Sequence, residues 1–281
     1  MLKKFLAVHL LVFLCNLSAQ QHPEPLPFAL FTIPKSGSHL MIKALYFMTG
    51  LTPHWHLEPL SIQETLHHRH FPYTHCCLSS ELLRFYDASF TQRILGIRDL
   101  RDVCVSIVYQ MRKGIWPEFT GYPNKTKAFN HLSFDEQLLF VIQQNYQLAP
   151  PGIKQHLEIQ KVAKQAADLV KNPQILVCRY EDIVGPQGGG TIEKQLQTLE
   201  KIARHINAPL SALEVEAIAS RLYGDEENPF GQGNFQHYQT TFRQGKIGGW
   251  RAAFKPIHKA AFKEKLGAHL IALGYEQDDN W

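Results

Sequence analysis

Several features that usually mark a function are missing from this chain. Only 5 of its 281 residues are cysteine, and Cys15 lies in an apolar leader. The other cysteines form no legible disulfide framework. Cys104 and Cys178 sit in apolar periodic segments, the setting of buried thiols, and the adjacent Cys76 and Cys77 would pair with each other only under strain. Charge of one sign is scarce in excess: 29 Lys and Arg against 25 Asp and Glu leave a net charge of +4. That mild balance suits an anionic small ligand and disfavours wholesale nucleic-acid binding. No apolar run reaches the length of a typical membrane span, since the one near the start covers only Phe5 to Leu14. "HHRHFPYTHCC" lacks the paired-ligand spacings of structural zinc sites, so no metal is expected. The phosphate loop of nucleotide triphosphatases is absent too. That loop places its lysine directly after a second glycine, whereas here Lys35 precedes Gly37 and no earlier glycine stands in range.

A hydrophobic fraction of 44% is ample for a packed core. The N-terminus has the layout of a secretory signal: Lys3 and Lys4, the short apolar stretch, then small and polar residues up to Ala19. Residues 1–19 are therefore read as a signal peptide, or as an uncleaved anchor, with 20–26 a short linker and 27–281 one domain. Export to a periplasm or a secretory lumen follows, with membrane contact only if the leader is retained. Asn124-Lys125-Thr126 is a glycosylation sequon, meaningful only in a eukaryotic secretory pathway.

Strand and helix signals alternate. "FALFTI", Phe28 to Ile33, is a continuous apolar run of strand length. Leu40, Met41, Ala44, Leu45 and Met48 follow at helical spacing, with Gly50 as a stop. "RILGI" leads to Arg98, and "DVCVSIVYQM" reads as the next helix. "QILVC" is a third strand, ending at Arg179 and Tyr180, preceded by a helix over Ile159 to Val170. Ser133 with Glu136, and Ser211 with Glu214, match capping boxes, and Ile192 opens a further amphipathic helix. "GPQGGG" reads as a flexible surface connection. The fold class is α/β, a central parallel sheet flanked by helices.

Three stretches suit anions. Lys35, Ser36, Gly37, Ser38 and His39 lie where a strand meets a helix. Unpaired N–H groups and the helix dipole favour an anion there, and Lys35 adds a full charge. Arg98 ends a strand, and Ser106 lies eight residues on in the next helix. In "FRQGKIGGWRAAF", Arg243, Lys246 and Arg251 surround three glycines, the composition of a phosphate-covering loop. The bland alternative for each is a solvated basic surface.

Together, in this order, these stretches resemble the sulfotransferases that use 3′-phosphoadenosine 5′-phosphosulfate (PAPS). That family carries Pro-Lys-Ser-Gly-Thr-Thr-Trp, matched by Pro34-Lys35-Ser36-Gly37-Ser38-His39-Leu40. It carries an arginine, then Lys-Asp-Val and a serine, matched by Arg98, Arg101-Asp102-Val103 and Ser106. Its Tyr-Glu-Asp is matched by Tyr180-Glu181-Asp182. Its Arg-Lys-Gly, two residues, Gly-Asp-Trp is matched by Arg243-Gln244-Gly245 and Gly248-Gly249-Trp250. The family's Lys-Thr-His-Leu-Pro is set against His68-Arg69-His70-Phe71-Pro72.

The resemblance implies a P-loop-kinase-like sulfotransferase fold and in-line transfer of a sulfuryl group to a hydroxyl or amine, with 3′-phosphoadenosine 5′-phosphate (PAP) as product. It implies that Lys35 and the backbone of Ser36–His39 hold the phosphosulfate. Arg98, Ser106, Arg243, Gln244 and Gly245 would hold the 3′-phosphate, and Tyr180 would lie near the adenine. His70 would be the catalytic base, with His75 in reserve. Gln244, Leu40 and Gly249 depart from the pattern and bear on affinity more than on reaction type, while His68 in place of a lysine weakens a second cation. The acceptor, whether small molecule, sugar, lipid or protein tyrosine, is not legible, although Trp116, Phe119 and Tyr122 are candidate pocket walls. A PAPS-binding protein without catalysis and a nucleotide kinase are the competing readings.

Overall fold

Phe28–Thr32 forms β1, and every one of its side chains is buried. Residues alternate between the two faces of a strand, so β1 feeds two cores. Phe28 and Leu30 enter one, and Ala29 and Phe31 the other. This two-sided burial is why the segment reads as an unbroken apolar run. Truncating Phe31, which is 1% exposed, to alanine would cost about 3–5 kcal/mol.

The protein is described by a computed structural model over residues 25–55, 70–76, 78–113, 123–144, 158–208, 210–224 and 242–281. The leader, His67–Arg69, Cys77 and the aromatic residues Trp116, Phe119 and Tyr122 lie outside the described residues. The further strands are β2 (Thr52–Trp55), β3 (His70–His75), β4 (Gln92–Ile97) and β5 (Ile175–Arg179). They form one five-stranded parallel sheet in the order β2-β3-β1-β4-β5.

The helices follow in chain order. First come α1 (Ser38–Thr49), α2 (Ser80–Ser89), α3 (Leu100–Lys113), α4 (Pro123–His131), α5 (Phe134–Gln143) and α6 (Ile159–Val170). Then come α7 (Tyr180–Ile183), α8 (Ile192–His205), α9 (Ala212–Leu222), α10 (Trp250–Ala253), α11 (Pro256–Phe262) and α12 (Ala268–Ala272). Helices α1, α8 and α9 cover one face of the sheet, while α3, α5, α6 and the C-terminal helices cover the other. Both expected capping boxes are present, at Ser133–Glu136 and Ser211–Glu214. Gly50 ends α1 with φ 65, as a helix stop should.

Two expectations change. "GPQGGG" is a packed turn: Gly185 and Gly188 are buried, and the Gly188 carbonyl accepts from Ile247 N (2.9 Å). A Cβ at Gly188 would come within 2.7 Å of the Gly245 carbonyl oxygen. The turn is thus a seat for the basic loop. The second change is β3, a strand where the sequence suggested only a histidine-rich segment. Cys104 and Cys178 are buried free thiols, as is Cys76. Among the described residues no helix is long and apolar enough to cross a membrane.

The topology selects one place for a ligand. β1 is followed by α1 on one face, and β4 is followed by α3 on the opposite face. Neighbouring strands whose connections diverge in this way open a crevice at their carboxyl ends, the usual ligand position in such sheets.

Candidate active site

Lys35 sits at that crevice in a tight turn. Ser36 N donates to Ile33 O (3.0 Å), with Pro34 in second place and Lys35 in third at φ 65. This place in a turn usually falls to glycine, because a Cβ is strained at positive φ. A lysine here costs roughly 1 kcal/mol or more. Its side chain is half-buried, and Nζ donates to Gln110 Oε1 (3.1 Å) on α3. Enclosure first, and then the charges of Arg98 and Lys113, hold the ammonium down to a pKa of about 7. A lysine kept there against both strain and desolvation is fitted to meet an anion.

The loop's two serines do not both face a ligand. Ser36, 3% exposed, donates to the Gly96 carbonyl (3.3 Å) and ties the loop to β4. Ser38 Oγ donates to Thr32 Oγ1 (2.8 Å). Gly37 caps α1 at φ 93, and no side chain caps the first-turn amides. Those amides and the dipole of a 12-residue helix face the crevice mouth.

Tyr180 brings three of the sequence motifs together. Its ring packs on Gly37, its hydroxyl donates to Gly245 O (2.7 Å), and the Arg98 guanidinium lies 4.2 Å from its ring centroid. Burial pushes its hydroxyl up to about 12, so it stays a neutral donor. Arg98 NH2 donates to Lys246 O (2.7 Å), and its second nitrogen, Nε, is buried with no partner among the described residues. Asp102 accepts from Gly248 N (2.7 Å) and Trp250 N (2.8 Å). The basic loop is thereby pinned across the crevice. Within it Arg243 is exposed over the Tyr109 ring (4.1 Å), and Arg243 NH1 donates to Gln244 Oε1 (3.2 Å). Lys246 donates to Gln187 O in the "GPQGGG" turn. Gly245 takes φ 57, and a Cβ there would meet Phe242 at 2.9 Å.

The two histidine candidates lie at opposite ends of one strand. His70 opens β3, pairs with Thr52 of β2, and its Nδ1 is hydrogen-bonded to Thr52 Oγ1. His75 closes β3 opposite Thr32, the last residue of β1 before the Lys35 turn. Five steps at about 3.3 Å per residue put them roughly 16 Å apart along the strand. In a parallel sheet only His75 therefore stands at the carboxyl-end crevice, while His70, the expected base, stands at the opposite end of the strand. The His75 Nδ1 lies 2.8 Å from Thr32 Oγ1, and the His75 ring stands edge-on to Trp55 at 4.8 Å. Burial, then Lys35 and His75, keep His39 well below the usual histidine range, so it is neutral near pH 7.

Of the sites expected from sequence, Lys35, Gly37, Arg98, Tyr180 and Gly245 meet at this end of the sheet. Ser106 lies about one helical turn before Gln110 on α3, and Arg243 lies over Tyr109 of the same helix. His70 stands at the other end. Gln110 and Lys113 went unnoticed, although their spacing of four and seven from Ser106 places all three on one face of α3. The sequence signal for His75 was present as well: Thr74-His75 matches the Thr-His of the family motif better than Arg69-His70 does. Among the described residues no group of three or more His, Cys, Asp or Glu side chains is placed to hold a metal ion.

By sequence, no family model and no curated protein matches the chain. Its structure is similar to that of mouse sulfotransferase SULT7A1 complexed with PAP, with a TM-score of 0.61 and 14% identity over 91% of this chain and 89% of that one. At that distance the likeness speaks for architecture, and it agrees with the motif order read along the chain. The chain has the sulfotransferase fold.

Proposed function

We propose that the protein is a PAPS-dependent sulfotransferase that moves a sulfuryl group onto a hydroxyl or amine of its acceptor. The observation that carries this reading is the convergence of Lys35, Arg98 and the Arg243–Gly245 loop on one crevice at the ends of β1 and β4. The buried Arg98 Nε, without a hydrogen-bond partner among the described residues although the same guanidinium bonds Lys246 O and lies 3.6 Å from Asp102, adds to it, because a buried N–H left unpaired is costly unless a ligand engages it.

Each residue has a chemical task in this reading. The α1 amides and Lys35 bind the phosphosulfate. An anion there draws Lys35 back to its charged form, so the ammonium can offset charge that builds on the leaving oxygen. Arg98, Ser106 and Arg243 hold the 3′-phosphate. Tyr180, packed on Gly37, keeps the cradle and the basic loop in register. His75 takes the acceptor's proton as the new oxygen–sulfur bond forms and the sulfur–oxygen bond to the nucleotide breaks.

Calorimetric titration with PAP tests the nucleotide assignment. The wild type should bind, and Arg98→Ala and Arg243→Ala should each lose about 1.5–3 kcal/mol, the worth of a charge-assisted contact. Unchanged affinity in both variants would remove the assignment.

A further inference from the structure

Lys35 is met from α3 by one buried polar side chain. Its Nζ donates to Gln110 Oε1 (3.1 Å), and Gln110 is 3% exposed. An ammonium has three donors and no acceptor, so the carboxamide turns its oxygen toward it. The other half of the same group, Nε2, is buried with no hydrogen-bond partner among the described residues. It is bonded to the carbon that carries Oε1, so this unused donor sits beside the lysine's contact. Folding took it out of water and gave it nothing in return, which is costly. Packing does not require the amide. The buried positions next to it on α3, Ile107, Val108 and Met111, are apolar, and an apolar residue at 110 would fill the space without that cost.

The chemistry of the place explains a neutral donor. Arg98 and Lys113 already press on the Lys35 ammonium by repulsion. A further cation would add to that repulsion, and a carboxylate would oppose an incoming anion. A carboxamide instead offers an acceptor to the lysine and a donor to the anion. Resting on the reading that Lys35 engages the phosphosulfate, we propose that Gln110 is a further residue of the donor site: its Oε1 orients the Lys35 ammonium, and its Nε2 donates to an oxygen of the same 5′-phosphosulfate group. The two ends of one carboxamide thus meet the two members of one ion pair.

The test uses the full chain and calorimetric titration with PAPS and with adenosine 3′-phosphate, which has no 5′ group. Gln110→Met has nearly the same length and neither polar atom. It should bind PAPS at least about tenfold more weakly, the worth of a lost bond to a charged group. It should bind adenosine 3′-phosphate within about threefold of wild type, and melt no lower, because a buried unpaired donor has gone. Gln110→Glu keeps an acceptor for Lys35 and loses the donor, so it should fold and lose PAPS affinity by at least as much. In a Lys35→Gly background, Gln110→Met should still weaken PAPS binding several-fold, since the Nε2 bond does not depend on the lysine. No further loss in that background would mean that Gln110 acts through Lys35 alone, and would overturn the proposal. Wild-type PAPS affinity in Gln110→Met, or an equal loss for both nucleotides, would overturn it too. Wild type that binds neither nucleotide, or PAPS no better than adenosine 3′-phosphate, overturns the reading of Lys35 as the phosphosulfate cradle and this proposal with it.

Discussion

The ring of Tyr180 lies so close to Gly37 that a Cβ at position 37 would come within 2.3 Å of Cδ2. Gly37 also holds φ 93. Both facts demand glycine, one for space and one for backbone freedom. Gly37→Ala should therefore lower stability by about 1–3 kcal/mol, from combined strain and overpacking, and weaken PAP binding at least tenfold. Thermal melts and calorimetry read both effects. Because the clash is with one ring, Gly37→Ala/Tyr180→Ala should recover part of the stability lost in Gly37→Ala alone. Strictly additive losses would show that the contact is not what excludes a side chain.

Lys35 is strained by its positive φ and desolvated by its surroundings. Replacing it with glycine removes both penalties. Lys35→Gly should melt no lower than wild type and should bind PAP at least tenfold more weakly, the exchange of stability for function common at ligand sites. The folded lysine has a pKa of about 7 against 10.5 for the ordinary side chain. The unfolded chain thus binds more protons between those values, and wild-type stability gains with pH across that window. The stability advantage of the glycine variant should accordingly be greatest at pH 7 and below, and shrink toward pH 10. A variant that melts lower than wild type at pH 7 would contradict this account.

The same group links binding to protons. At pH 8 Lys35 is mostly neutral in the free protein, because its pKa is about 7. A bound anion favours the ammonium, so PAP binding should take up close to one proton at that pH. Affinity should weaken as pH rises above about 7. Calorimetry in two buffers of different ionisation heat measures the uptake. Proton release, or none, in wild type would contradict it, and Lys35→Gly should abolish the effect.

Asp102 holds the basic loop through Gly248 N and Trp250 N. Asp102→Ala would leave both amides without that acceptor, at about 1–3 kcal/mol for each buried group left unpaired. The loop should loosen, and PAP affinity should fall even though Asp102 is itself an anion and a poor candidate to touch phosphate. Hydrogen exchange at 243–250 should rise in this variant. Affinity equal to or better than wild type would show that the loop is positioned by other contacts.

The elements legible in the sequence were those whose pattern reflects burial. β1, β4 and β5 are apolar on both faces or nearly so, and α1, α3 and α6 carry clean periodicity. β3 was not legible. It is built from histidine, phenylalanine, proline, tyrosine and threonine, and Pro72 offers no N–H to a ladder. Only the strand's direction tells its two histidines apart, placing His75 and not His70 at the crevice end. The "GPQGGG" turn misled for a related reason. Glycine signals flexibility in composition, but here Gly188 makes room for the Gly245 carbonyl. The convergence of Gly37, Arg98 and Gly245 on Tyr180 is tertiary, and no local pattern announces it.

The position of His75 at the crevice, and of His70 at the far end of the same strand, makes the central claim testable in one assay. Transfer of labelled sulfur from PAPS to a panel of hydroxyl and amine acceptors should be measured for wild type, His75→Ala and His70→Ala. The account predicts transfer by wild type, near-normal transfer by His70→Ala, and a loss of about 10²–10⁴-fold in His75→Ala with PAP affinity retained. Normal turnover by His75→Ala, alongside an inactive His70→Ala that still binds PAP, would contradict it.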